Sequence, residues 1–146
     1  MEIVKKRFYD LTLDELYAII RSRIEVFVID QHIIYQDLDF LDQCSTHLFI
    51  KFNGLAISYL RIIDPGIKYP ETSIGRVLTL PEFRRQGLSK KLLEIAIEEV
   101  RKNKKMPIKI EAQEYLLNFY KSLGFEQLSS PFILEGISHI SMILSN

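Results

Sequence analysis

Apolar residues recur at helical spacing early in the chain: Leu13, Leu16, Tyr17, Ile20, Ile24 and Phe27 share one face. Thr12-Leu13-Asp14-Glu15 opens that helix as a capping box, with Thr12 as N-cap and Glu15 reaching back. Residues 30 to 46 lose all periodicity and are acidic, which predicts a loop with at most a short helical turn. Two apolar runs, His47 to Phe52 and Leu55 to Ile63, flank Asn53-Gly54, a dipeptide suited to a two-residue hairpin turn. A third strand is predicted from about Ser73 to Leu80, where Pro81 stops it. Leu88, Leu92, Leu93, Ile95, Ala96 and Val100 then give a second helix its apolar stripe. Beyond it the pattern predicts a strand over Ile108 to Ala112 and a helix over Tyr115 to Leu123 closed by Gly124. Final strands follow at Phe125 to Leu128 and Ser138 to Leu144. The resulting order is an α+β fold, with a mixed, mostly antiparallel sheet flanked by helices.

Composition narrows the class. The chain has 146 residues and is 47% hydrophobic, enough for one domain over 1–146 with a substantial core. Its 19 basic and 19 acidic residues cancel, which argues against general attraction to nucleic acid. Cys44 is alone, so no intrachain disulfide forms and a reducing compartment fits. The N-terminus turns charged at once, unlike a signal peptide, and no apolar run approaches the ~20 residues of a membrane span. A soluble cytoplasmic protein is the expectation.

One short stretch departs from a neutral background. Arg84-Arg85-Gln86-Gly87-Leu88-Ser89 joins the third strand to the second helix and is rich in cations where a helix start favours anions. Gly87 permits a sharp turn and close approach to its amide, and the helix start offers free N–H groups. Arg84, Arg85, Lys90 and Lys91 add positive charge. An anionic ligand fits these features; so does an ordinary strand-to-helix turn with solvated arginines. Neither phosphate motif, G-x-x-x-x-G-K-[ST] nor G-x-G-x-x-G, is present.

Arg84-Arg85-Gln86-Gly87-Leu88-Ser89, following a strand and a proline, resembles motif A of the GNAT superfamily, with signature (Q/R)-x-x-G-x-(G/A). Ala112-Gln113 and the later Asn118-Phe119-Tyr120-Lys121-Ser122-Leu123-Gly124-Phe125 resemble its motif B, which ends in Y-x-x-x-G-F. The stretch LYAIIRSRIEVFVIDQ, the later YQDLDFLD with His47, and EGISHISM are similar to the ElaA-like branch. The resemblance spans nearly the whole chain in the right order. It implies a sheet splayed where the cofactor binds, and an acetyl-coenzyme A-dependent N-acetyltransferase acting on a primary amine of a small molecule or peptide. The partners it implies are acetyl-coenzyme A (acetyl-CoA) and an amine acceptor, with no nucleic acid or membrane, and with homodimerisation left open. The chain departs from the signature at Ser89, a small residue whose hydroxyl can donate to a phosphate.

The same resemblance implies the site residues. Amides from Arg85 through Gln86, Gly87, Leu88 and Ser89 to Lys90 would cradle the pyrophosphate. Val77, Leu78 and Thr79 would pair their backbone with the pantetheine arm, as an added strand pairs with a sheet edge. Gln113 stands where relatives hold an asparagine near that arm; a strand-end polar cap is its other reading. Tyr120 falls at the position of the general acid, since a phenol with a pKa of about 10 stays protonated at neutral pH. Its other reading is core packing beside Phe119 and Phe125.

The general base is left open among Glu111, Glu71, His139 and water; a hydrogen-bonded core imidazole suits His139 better. Asp37, Asp39 and Asp42 with His47 lack the glycine and distal glutamate of a calcium loop, so no metal is expected. They fit either an acidic rim for a cationic acceptor or salt bridges to Arg21 and Arg23. Two further function classes compete with the enzyme: a non-catalytic acyl-CoA sensor of the same fold, and an interaction domain using the basic 84–105 stretch. Tyr120 and the intact strand-to-turn motif favour the enzyme; zero net charge weighs against the interaction domain.

Overall fold

A computed structural model describes all residues, Met1–Asn146. Its elements are β1 (Glu2–Arg7), α1 (Leu13–Arg23), β2 (Ser45–Phe52), β3 (Leu55–Ile63), β4 (Thr72–Thr79), α2 (Leu88–Lys102), β5 (Ile108–Gln113), α3 (Leu117–Ser122), β6 (Glu126–Gln127), β7 (Phe132–Leu134) and β8 (Ile137–Leu144). They form one sheet in the order β1-β2-β3-β4-β5-β8-β6, with β7 also paired to β8. Every pairing is antiparallel except β4 with β5. No helix is long and apolar enough to cross a membrane.

The local signals act as the sequence predicts at most joints. Thr12 Oγ1 accepts from the Glu15 amide at 3.0 Å and the Glu15 side chain accepts from the Thr12 amide at 2.9 Å, closing the capping box. Asn53 (φ +49) and Gly54 (φ +76) both take left-handed backbone, which lets β2 turn straight into β3. At the end of α3, Phe125 N–H donates to Tyr120 C=O and Gly124 N–H to Lys121 C=O, with Gly124 at φ +100. That Schellman arrangement fixes the exit of α3 and thereby the orientation of Tyr120.

The structure departs from the sequence pattern at both ends. β1 was not expected, because EIVKKR shows no apolar alternation. Only Val4 of it is buried, and β1 is held as an edge strand by its backbone ladder with β2, from Glu2↔Lys51 to Arg7↔Thr46. The first helix runs on past Arg23 as a π-helical turn over Ile24–Asp30. The expected strand at Phe125 to Leu128 shrinks to the two residues of β6. Pro131 follows closely, and Ser129 uses its hydroxyl to cap the Ser141 amide at 3.0 Å.

A core of 28 buried residues joins α1, α2 and α3 to the sheet. In α2, Leu92, Leu93, Ala96, Ile97 and Val100 are buried, so the stripe read from the sequence is the packed face. Burying a leucine of this kind stabilises by about 1.5–3 kcal/mol. That packing holds the N-terminus of α2 rigidly against the end of β4.

Candidate active site

The parallel pair β4–β5 is joined only at Thr72↔Ile108 and Ser73↔Lys109, although both strands continue well beyond. From Ile74 and Ile110 onward they diverge, so the facing backbone groups of two central strands find no ladder partner in each other. Such groups need another partner or solvent. The gap opens into a cleft of 680 Å³. Its walls include Val77, Leu78 and Thr79 from β4 and Glu111 and Gln113 from β5, with Tyr120 from α3.

Opposite β5, the β3–β4 register shifts between Tyr59 and Arg61. Tyr59 faces Leu78 and Arg61 faces Gly75, which sets one residue of β3, Leu60, against two of β4, Arg76 and Val77. The extra residue makes a β-bulge at Arg76 and Val77, and Arg76 takes φ +53. Bulge and splay coincide on the same stretch of β4.

At the C-terminal end of β4 lies the 84–89 turn. Arg85 (φ +66) and Gly87 (φ +72) are left-handed, and turns of this kind gather successive N–H groups into an anion-binding concavity. Gly87 is the N-cap of α2; no side chain caps the helix, and its first turn carries no acidic residue. A Cβ at Gly87 would meet no atom within 4 Å, so the space over these amides is open. Arg84 is committed elsewhere, donating to Thr79 C=O at 3.1 Å and pairing with Asp30 at 2.9 Å. Arg85 and Lys90 line the cleft without an ion-pair partner.

Of the residues expected at the site, Gln86 and Leu88 do not line the cleft. Gln86 is exposed and Leu88 packs against the core, so only their backbones face the turn. Ser89 lines it, but its hydroxyl is engaged differently from the expected donation to a phosphate. Ser58 Oγ donates to Leu78 C=O at 2.9 Å, so Thr79 must donate to Ser58 (3.0 Å) and Ser89 to Thr79 (2.7 Å). The Ser89 proton is therefore spent on Thr79 and is not offered to a phosphate; its oxygen ties α2 to β4.

Tyr120 is 6% exposed, with its ring edge-on to Phe119 (5.2 Å) and Phe125 (5.8 Å). The packing reading holds for the ring, and the side chain also lines the cleft. Its hydroxyl has no protein partner and is not among the buried unsatisfied atoms, so it reaches cleft space. Burial, and less so the nearby Tyr115, pushes the phenol above its ordinary range, so it holds its proton.

The candidate bases separate by position. Glu111 lines the cleft just past the last β4–β5 pair and accepts a short hydrogen bond from the Tyr69 hydroxyl. Burial, and then Glu111 itself, raises the Tyr69 phenol, so that proton stays on Tyr69. Glu71 lies outside the cleft lining. His139 lines the cleft, but its Nδ1 is 2.7 Å from Ile137 C=O and its ring stacks on Phe132. Lys109 Nζ sits 4.4 Å from the Tyr69 ring centroid, a cation–π contact.

The acidic loop is not a rim. Arg23 Nε pairs with Asp37 at 2.7 Å and its Nη1 with Asp42 at 2.6 Å. Arg61 binds Asp39 at 2.8 Å and Asp42 at 3.0 Å, and Arg76 Nε lies 2.9 Å from Asp37. Three carboxylates meet three guanidinium groups, which leaves no net charge to attract a cation. The pairing alternative holds for Arg23; Arg21 is exposed and takes no part. Burial opposes the charge on Asp39, but Arg61 outweighs it and holds that carboxyl well below its usual range. His47 is buried beneath the network, with Nε2 2.8 Å from Asp42 C=O and Nδ1 2.7 Å from the Tyr59 hydroxyl. Burial pushes its pKa down, so Nε2 carries the proton and Nδ1 accepts. The sequence signal for this network was Arg61, a lone cation within the apolar run LAISYLRII, since a buried arginine needs carboxylate partners.

A sheet split between its two parallel strands, beside an uncapped helix start, can be compared with known proteins. Residues 17–146 match the GNAT acetyltransferase domain. The chain belongs to the GNAT family. Among GNAT relatives, a UPF0039 protein of Synechocystis is 37% identical over 140 residues, covering 94% of this chain and 91% of the relative. Protein ElaA of Escherichia coli is 30% identical over 136 residues, covering 91% and 89%. The crystal structure of an acyl-CoA N-acyltransferase from Pseudomonas aeruginosa superposes with a TM-score of 0.93 at 34% identity, over 99% of each chain. That of E. coli ElaA gives 0.89 at 28% identity over 97% of each. GNAT membership and the Pseudomonas likeness support N-acyl transfer from an acyl-CoA donor. The ElaA likeness bears out the branch expected from the sequence.

Proposed function

We propose that this protein is an acetyl-CoA-dependent N-acetyltransferase that modifies a primary amine of a small molecule or peptide, working as one domain over 1–146. The observation that carries the proposal is the separation of β4 from β5 after two residue pairs, opening onto the uncapped start of α2. A thioester on a long polar arm with a pyrophosphate fits these features. The arm finds unpaired strand backbone, and the anion finds free amides beside Arg85 and Lys90.

Acetyl-CoA supplies an activated thioester carbonyl. Val77, Leu78 and Thr79 bind its arm through their backbone, and the bulge turns an N–H toward the carbonyl oxygen, where negative charge develops. The amides of Arg85 to Lys90 hold the pyrophosphate, and Gln113 supports the arm from β5. Glu111 takes a proton from the bound ammonium, directly or through water, and the neutral amine then attacks the thioester carbonyl; Tyr69 fixes the orientation of the Glu111 carboxylate. Tyr120 gives its proton to the departing sulfur. Nitrogen loses two protons in all: Glu111 passes the first to solvent, and the second, released as the C–N bond forms, returns through water to the Tyr120 phenolate and replaces the proton given to sulfur.

The test is coenzyme A release with acetyl-CoA and a longer acyl-CoA against a panel of primary amines. Amine-dependent release with acetyl-CoA is expected. Tight donor binding with no release for any amine would point instead to an acyl-CoA sensor.

A further inference from the structure

We propose that Arg76 is a positioning residue for acyl transfer. Its guanidinium clamps the 31–41 segment onto the β4 bulge, so that the donor strand and the opposite wall of the cleft move as one body. The proposal rests on the acyl-transfer reading of the cleft.

The backbone gives the first observation. A non-glycine residue at φ +53 is strained by roughly 1–2 kcal/mol, and a glycine stands next door at 75, where no positive φ is needed. The bulge thus falls on the one residue of the pair that has a side chain. An outlier of this kind persists when its surroundings over-determine it.

The side chain shows what does so. Arg76 Nη2 donates to the Asp37 backbone carbonyl at 2.9 Å and lies 3.5 Å from Asp39 Oδ2, while Nε is 2.9 Å from Asp37 Oδ1. One guanidinium therefore hydrogen-bonds the main chain at Asp37 and the Asp39 carboxylate, while its buried Nε stands in charge contact with the Asp37 carboxylate without a hydrogen bond. The segment it holds has no helix or strand between residues 33 and 41. Tyr35 donates to that same oxygen, Asp37 Oδ1, at 2.6 Å, while Arg23 holds Oδ2. Gln31, Ile33 and Tyr35 of this segment line the same cleft as Arg76, Val77 and Leu78. The charge balance of the buried network is met only with Arg76 included, since Arg23 and Arg61 alone face three aspartates. Holding reacting groups within an ångström of alignment is worth about a hundredfold in rate, and a clamp across the cleft is one way to do it.

Arg76→Gly separates backbone from side chain, because glycine takes φ +53 freely while the guanidinium is lost. We expect this variant to fold, with a lower Tm from the unbalanced carboxylate, because Asp37 keeps Arg23 and Tyr35 and Asp39 keeps Arg61. Arg76→Gln, which keeps a side-chain donor, is the second variant. Three quantities are measured in each: the coenzyme A-induced rise in Tm, kcat and KM for the best amine of the panel, and amide hydrogen exchange of residues 31–41. In Arg76→Gly we expect the coenzyme A shift to be retained and kcat/KM for the amine to fall about tenfold or more. Exchange in 31–41 should rise, with Arg76→Gln in between. Wild-type kinetics in Arg76→Gly would overturn the proposal, as would a lower Tm with kcat and KM unmoved. Loss of the coenzyme A shift in Arg76→Gly alone would also overturn it, assigning Arg76 to the donor site. Absence of that shift in the wild-type protein would instead bring down the acyl-transfer reading itself.

Discussion

Replacing Gly87 with glutamate separates the anion site from the fold that carries it. The new Cβ would meet nothing within 4 Å, so the protein side of the cost is conformational: a left-handed residue at φ +72 loses roughly 1–2 kcal/mol. A carboxylate beside a helix N-terminus returns about 0.3–1 kcal/mol of that. Unliganded Tm should therefore fall by only a few degrees, at about 2–4 °C per kcal/mol for a domain of this size. The ligand side is harsher. A carboxylate about 4 Å from a phosphate charge costs roughly 4 kcal/mol near a protein surface, and half of that is about thirtyfold in affinity. Coenzyme A at a hundred times its Kd stabilises the wild-type protein by about 2.7 kcal/mol, a rise of roughly 5–11 °C. The same concentration, thirtyfold weaker, leaves about 0.9 kcal/mol and a rise of roughly 2–3 °C. Thermal melts with and without coenzyme A read both numbers. A variant that keeps the wild-type shift would refute the assignment of the pyrophosphate to the 84–90 amides.

Two further outcomes test other parts of the molecule. Tyr120→Phe should lower kcat about tenfold or more with the coenzyme A shift intact, because the hydroxyl matters when the thiolate departs; unchanged kcat would leave Tyr120 as packing alone. Glu15 is 4% exposed; burial pushes its pKa up, but Lys6, the Thr12 amide and Lys51 together bring it down to about 2 from 4.5. A depressed carboxyl stabilises above its unfolded pKa, and this stability is lost as pH falls toward 2. With Lys6 and Lys51 themselves about one-third exposed, the effect is discounted to about 1–2 kcal/mol. Urea unfolding should show Glu15→Gln weaker by that amount at pH 6, with the gap closing between pH 4.5 and 2; a gap independent of pH would sink the linkage.

The sequence made the elements legible where a single local rule decides them. The Thr12–Glu15 box, the Asn53-Gly54 turn, the α2 stripe and the Gly124 stop all read directly. β1 stayed hidden because an edge strand needs backbone partners and only one buried side chain. The sharp, basic 84–89 turn at the start of α2 was readable, since charge and glycine carry that signal in sequence order. The hydroxyl direction at Ser89 was not, because it depends on Ser58 and Leu78, distant in sequence. The acidic loop misled for a related reason: its charge is local in sequence, while the arginines that cancel it come from α1, β3 and β4. The bulge at Arg76 leaves no trace in composition, and Gly75 beside it points to the wrong residue.

The file of hydroxyls from Ser58 through Thr79 to Ser89 has a direction, and that direction is imposed from its buried end. Because Leu78 C=O can only accept, each proton in the file points inward, away from the cleft. Ser58→Ala would remove the anchor and let the file reverse: Thr79 would turn its proton to Ser89, and Ser89 would have one to spare. A polar group deleted from the interior, at a residue with no exposed surface, would then create a donor at the mouth of the proposed anion site. Among relatives of this protein, the residue at 58 and the residue at 89 should therefore be read together, as the two ends of one switchable wire.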